Sequence, residues 1–213
     1  MTEQGKFIVF EGADGCGKST QIERARGFIH GLTDNVPAVY QAMGSGVNGK
    51  ELRAFLKANA GWDFKSEVAL MAVAIRGTAL ELQEQLDAGQ DVICDRWTMS
   101  TLAYQVWGRA SGDQEALSDA EYLLDVLVPT LHPEYIVLSA PYEVRAERMG
   151  KRGGPGDVFD SDVELQKRLG RAYDVLSGLS TFKTHRVSAA GGVEETWEQT
   201  KLALEKIYAD SDR

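Results

Sequence analysis

Several features that would commit a chain to a large protein class are missing from this sequence. No apolar run reaches the roughly 18–20 residues that a membrane-spanning helix needs. The opening "MTEQGKFIVFEG" holds an apolar run too short for a secretion signal and leads straight into a glycine-rich loop, so the expected compartment is the cytoplasm and no membrane association is expected. There are only two cysteines, Cys16 and Cys94, and neither stands at metal-ligand spacing. Both read as reduced, small core residues. The histidines, His30, His132 and His185, are scattered and suggest no zinc site. Basic residues are outnumbered, 23 Lys and Arg against 32 Asp and Glu, for a net charge of −9. That balance speaks against stable nucleic-acid binding, which needs a basic stripe, but leaves room for a local pocket for a small anion. No repeat, low-complexity tract or Pro/Ser-rich linker interrupts the 213 residues, which read as one domain, 1–213.

Short apolar runs alternate with longer helical patterns. Strands are expected at 6–11, 37–42, 91–95, 134–140 and 183–189. Helices are expected at 18–32, 49–59, 66–86, 100–108, 120–128, 142–152, 161–179 and 193–208, the first burying Ile22, Ala25 and Ile29. Strands alternating with helices predict an α/β fold with a five-stranded parallel sheet flanked by helices. Near-continuous apolar strands are what a sheet covered on both faces requires. Ligands of such sheets bind beyond the carboxyl ends of the strands.

One of those ends carries "FEGADGCGKST", Phe10 to Thr20. Within it "GADGCGKS" matches the phosphate-loop pattern, with Gly12, Gly17, Lys18 and Ser19 in register between a strand and a helix. The residues Gly12, Asp14, Gly15, Cys16, Gly17, Lys18, Ser19 and Thr20 are expected to hold ATP. Backbone N–H groups and the helix N-terminus face the phosphates. Lys18 reaches the β/γ-phosphates and Ser19 ligates Mg²⁺. No N-K-x-D motif follows, which argues against a GTPase, and the short chain favours a small kinase.

"DRWTMSTLAYQ", 95–105, begins where an apolar strand ends. Asp95 is placed to orient Mg²⁺, and the planar fork of Arg96 suits a phosphate; a local Asp–Arg salt bridge is the plainer alternative. Together with the opening loop and "RMGKRGGPGDVFD" followed by "RAYDVL", this segment resembles the thymidylate kinase family over nearly the whole chain. The resemblance implies the nucleoside monophosphate kinase fold, with a short lid at about 148–160. It implies Asp95 on Mg²⁺, Arg96 on the monophosphate, and Asp14 near the acceptor sugar. Ser100 and Thr101 would face the nucleotide, Tyr104 would pack under the deoxyribose, Gln105 would support that wall, and Arg76 would reach a base carbonyl. The phosphate loop carries no arginine; the resemblance then implies a transition-state cation in the lid, at Arg152, with Arg148 on ATP.

Two departures from the family pattern stand out. "YQAMGSGVNGKELR" lacks the family's Arg-Glu-Pro or Phe-Pro segment, and its glycines suggest a loose, small loop. Ala72 stands where the family commonly has a stacking Phe; such a stack contributes about 1–3 kcal/mol. Both suggest a roomier base pocket for a 5-substituted or related deoxynucleotide, with Trp97 or Met43 expected to refill the space. The expected activity is ATP-dependent phosphorylation of a deoxynucleoside monophosphate, dTMP or a relative. The alternatives are a kinase acting on a modified base or hydroxyl in DNA, and a nucleotide-binding regulatory protein with weak catalysis. The resemblance also implies a possible homodimer.

Overall fold

The structure, a computed structural model, describes residues 4–46, 49–58, 61–152 and 162–209, without the side chains of Lys57 and Arg152. The elements run β1 Phe7–Glu11, α1 Lys18–Thr33, β2 Ala38–Gln41, α2 Gly49–Ala58, α3 Phe64–Asp87 and β3 Val92–Asp95. Then come α4 Thr98–Thr101, a π-helix Leu102–Arg109, α5 Gln114–Leu127, β4 Glu134–Ser139, α6 Tyr142–Arg152, α7 Val163–Leu176, β5 Lys183–Ser188 and α8 Val193–Ala209. The five strands form one parallel sheet in the order β2-β3-β1-β4-β5, as the α/β pattern predicts. Ala38 pairs with Val92 and Gln41 with Asp95; Glu134 pairs with Lys183 and Ser139 with Ser188.

Strand composition follows place in this order. β1, "FIVFE", is buried throughout, and β3 and β4 nearly so, because helices cover both their faces. The edge strands β2 and β5 are partly exposed along their length, and their sequences "AVYQ" and "KTHRVS" are correspondingly more polar.

The chain packs as two compact units, Met1–Val9 with Pro37–Pro133, and Phe10–Val36 with Glu134–Arg213. In the first, α3 buries Val68, Ala72, Ile75, Ala79, Leu82 and Leu86, and Val92 and Ile93 of β3 are fully buried. Its start is fixed by Asp63, which accepts from Ser66 N at 3.1 Å; such a cap is worth about 1 kcal/mol. In the second, Ile22, Ala25 and Ile29 of α1 are buried as the periodicity predicts, as are Ile136 and Leu138 of β4 and Leu169, Ala172 and Tyr173 of α7. Cys16 and Cys94 are both buried and neither forms a disulfide. No described helix is long and apolar enough to cross a membrane.

Candidate active site

The phosphate loop belongs to the second unit. Gly12 leaves β1 at φ 137° and runs so close to β4 that a Cβ there would meet Leu138 O at 2.3 Å. Gly17, at φ 89°, ends the loop as the N-cap of α1. Helices α3, α5 and α7 have their first N–H groups engaged by Asp63, Asp113 and Asp162. By contrast α1 has no side-chain cap and no acid in its first turn. A helix start of this kind suits an anion, through its N–H groups and the positive end of its dipole. Lys18 is 7% exposed, and its Nζ donates to Gly12 O at 2.8 Å and Ala13 O at 3.3 Å, so the ammonium is folded across the loop. Ser19 and Thr20 are exposed, and Asp14 is half-buried. Cys16 is buried, 2% exposed.

Gly15 has a second, packing reason to be glycine. Its φ is 85°, and a Cβ would lie 2.6 Å from Arg145 O and 2.9 Å from Arg145 Cα. Gly15→Ala is therefore expected to cost about 1–3 kcal/mol of stability from the strained backbone and displaced helix. It should also raise the ATP KM more than any acceptor KM; thermal unfolding and steady-state kinetics measure the two effects.

The residues after β3 belong to the first unit. Asp95 ends the strand, and its Oδ1 is buried with no hydrogen-bond partner among the described residues. Arg96 has φ 71°, a left-handed conformation that is strained for a residue with a Cβ and that concentrates at functional sites. Its Nη1 donates to Ser100 Oγ at 3.3 Å, and its Cζ lies 5.4 Å from the Tyr104 ring centroid. Arg96, Ser100 and Tyr104 follow one another at four-residue steps, which places them along one side. Trp97 is 3% exposed and packs edge-on against Phe7, centroids 5.1 Å apart. The segment expected as a simple helix over 100–108 is α4 running into the π-helix, a rare form frequent at functional sites. Within it Thr101 and Gln105 are buried; Gln105 donates to Met71 Sδ at 3.3 Å, while its Oε1 has no partner among the described residues.

Arg76 stands apart from this group. It is exposed on α3 and its Nη1 donates to Leu127 O at 2.9 Å, capping the end of α5. Such a cation at a helix C-terminus is an ordinary structural role. Ala72 is fully buried, and it is its neighbour Met71 that reaches Gln105. The loop after β2 is not loose where it is described. Thr78 Oγ1 donates to Ala42 O at 3.0 Å and Ser45 O at 2.9 Å, and a Cβ on Gly46 would come within 2.6 Å of Thr78 N. The glycines here permit close approach rather than slack.

Arg148 donates to Ala189 O at 2.8 Å and Gly191 O at 2.6 Å, fastening α6 to the turn after β5. The Arg152 side chain and most of the expected lid, including Asp157 and Asp160, lie outside the described residues. Three arrangements escaped the sequence reading. Tyr173 donates to the buried Glu11 at 3.1 Å. Glu67, whose carboxyl burial pushes up against the pull of Arg109, pairs with that arginine at 2.8 Å. Arg145 is buried beside Asp14 and Gly15. Only the apolar spacing of α7 hinted at any of these, by turning Tyr173 inward.

Comparison with known proteins draws on the whole chain. The family model described as thymidylate kinase matches residues 10–199. A protein named thymidylate kinase from Limosilactobacillus fermentum is 30% identical over 212 residues, covering 97% of each chain. Another of that name, from Desulfovibrio desulfuricans, is 29% identical and covers 93% of this chain and 94% of its own. The crystal structure of thymidylate kinase from Ehrlichia chaffeensis superposes with a TM-score of 0.70 at 20% identity, covering 97% of this chain and 99% of its own, and shares the fold.

Proposed function

Because this chain belongs to the thymidylate kinase family, we propose that it transfers the γ-phosphoryl group of ATP to the phosphate of dTMP, giving ADP and dTDP. The match over residues 10–199 carries this reading, since it takes in the phosphate loop and the Arg96 segment together. The loop N–H groups of Gly12 to Thr20 cradle the donor phosphates, and Lys18 swings from its carbonyl partners to the β/γ-phosphates. Arg96 grips the acceptor phosphate with its fork, held in orientation by Ser100 and Tyr104. Tyr104 packs under the deoxyribose with Gln105 supporting that wall, Thr101 meets the base, and Asp14 lies near the sugar. Arg148 and Arg152 supply cationic charge on the donor side. Arg76, which here donates to Leu127 O, would reach a base carbonyl.

Asp95, with a buried carboxylate oxygen that has no partner among the described residues, and Ser19, with an exposed hydroxyl, are the residues that would hold magnesium. When bound, Mg²⁺ neutralises phosphate charge. No general base of shifted pKa is required, because the acceptor phosphate is already an anion; positioning and charge stabilisation carry the rate. Incubation with ATP, Mg²⁺ and dTMP should yield ADP and dTDP one for one. ATP breakdown to ADP and inorganic phosphate without dTDP would sink the reading.

We also assign the apolar outer face of α3 and α5 to a second copy of the chain. Val73 and Leu80 lie two turns apart on α3 and are each 51% exposed; Tyr122 and Val126 lie one turn apart on α5 and are 68% and 59% exposed. An exposed apolar face of this kind is typical of an interface. Val73→Glu is expected to convert a dimer to a monomer in light scattering; a wild-type chain already monomeric at assay concentration refutes the assignment.

A further inference from the structure

Arg145 is the largest fully buried side chain among the described residues. It sits in the first turn of α6, where its amide donates to Pro141 O at 3.1 Å. Its Nε donates to Ala140 O at 3.3 Å, its Nη1 to Asp14 O at 3.2 Å and Gln166 Oε1 at 2.7 Å, and its Nη2 to Gln166 O at 2.7 Å. The Tyr142 ring lies 5.7 Å from its Cζ. Each of these partners is uncharged, and no carboxylate pairs with the guanidinium among the described residues.

A guanidinium cannot shed its proton in a protein. Burying that charge without a counter-charge is costly, and stability alone favours an apolar residue there. The position is also fixed: Gly15 lets the backbone of Arg145 approach to 2.6 Å of where a Cβ would be. The bond to Asp14 O has a geometric consequence. In a trans peptide the carbonyl and the following N–H point in opposite directions, and the chain has no cis peptide among its described residues. Holding Asp14 O toward α6 therefore turns the Gly15 N–H away from Arg145.

We propose that Arg145 is a positioning residue of the phosphate loop, whose buried charge finds its counter-ion in the polyphosphate of the bound nucleotide. It fixes the Asp14–Gly15 peptide with its N–H outward, and its field, little screened in the interior, adds to that of α1 and Lys18. Through Gln166 it also ties α6 to α7, the helices on either side of residues 153–161 in the chain. This rests on the reading of the loop as the ATP grip.

The test compares wild type, Arg145→Gln and Arg145→Lys for binding of ATP, ADP and AMP by calorimetry, with dTMP as control. Arg145→Gln is expected to weaken ATP by about 10- to 100-fold, ADP less and AMP least, with dTMP unchanged. Arg145→Lys, which keeps the charge, should recover most of the ATP loss. Equal losses for all three adenine nucleotides, or none, overturn the proposal. Should the glutamine variant fail to fold, the ¹⁵N–¹H signal of the Arg145 Nε in the wild-type protein decides. It should shift on adding ATP and not on adding dTMP; a signal indifferent to ATP overturns the proposal. A wild-type chain that binds no ATP refutes the functional reading itself, and this inference with it.

Discussion

Lys18→Ala is expected to lower kcat by about 10³-fold while leaving the fold intact. The Lys18 ammonium is the loop's own mobile cation, since no arginine lies between Gly12 and Ser19. It donates to the carbonyls of Gly12 and Ala13 in the same loop, partners it can leave for a phosphate at modest cost. The remaining loop N–H groups and the uncapped start of α1 should still hold ATP, so the loss should fall on kcat more than on the ATP KM. Single-turnover transfer to dTMP, together with a melting curve, measures both effects. A variant within about tenfold of wild type would mean that the loop binds nucleotide without serving transfer.

Arg96→Ala is expected to lower kcat/KM for dTMP by about 10²- to 10³-fold with the ATP KM nearly unchanged, because a charge-assisted, two-pronged phosphate contact is lost from the acceptor alone. Arg96→Gly separates function from strain. The left-handed backbone at φ 71° costs a residue with a Cβ about 1–2 kcal/mol, which glycine relieves. The glycine variant should be as inactive as the alanine variant yet melt higher than it. Equal melting temperatures would show that the conformation at 96 stores no strain, and an unchanged dTMP KM would remove Arg96 from the acceptor site.

The fold was legible where burial on both faces left a continuous apolar run, as in "FIVFE" and "VICD". The phosphate loop was legible because its backbone at Gly12, Gly15 and Gly17 takes conformations that favour glycine. The exposure of Arg76 was not legible. The residue interrupts an apolar helix and so reads as inward-facing, yet Val73 and Leu80 are themselves exposed, so an apolar stripe also marks the outer face. A π-helical register leaves no mark in the side-chain pattern, so 102–109 read as ordinary helix. Gly46 signalled slack and delivered close packing on Thr78. Arg145 lies in the polar run "YEVRAERMGKR", where an arginine reads as solvated; only its bonds to Asp14 and Gln166 reveal it as buried.

The central claim is transfer from ATP to a deoxynucleoside monophosphate, and ADP release across a panel of acceptors tests it most directly. The panel holds dTMP, a larger 5-substituted dUMP, dCMP, dAMP, dGMP and the ribonucleotide UMP, each with ATP and Mg²⁺. Rapid ADP release is expected with dTMP, and little with UMP, whose 2′-hydroxyl would meet Tyr104. ADP release that stays at its acceptor-free rate with every deoxynucleotide in the panel would contradict it.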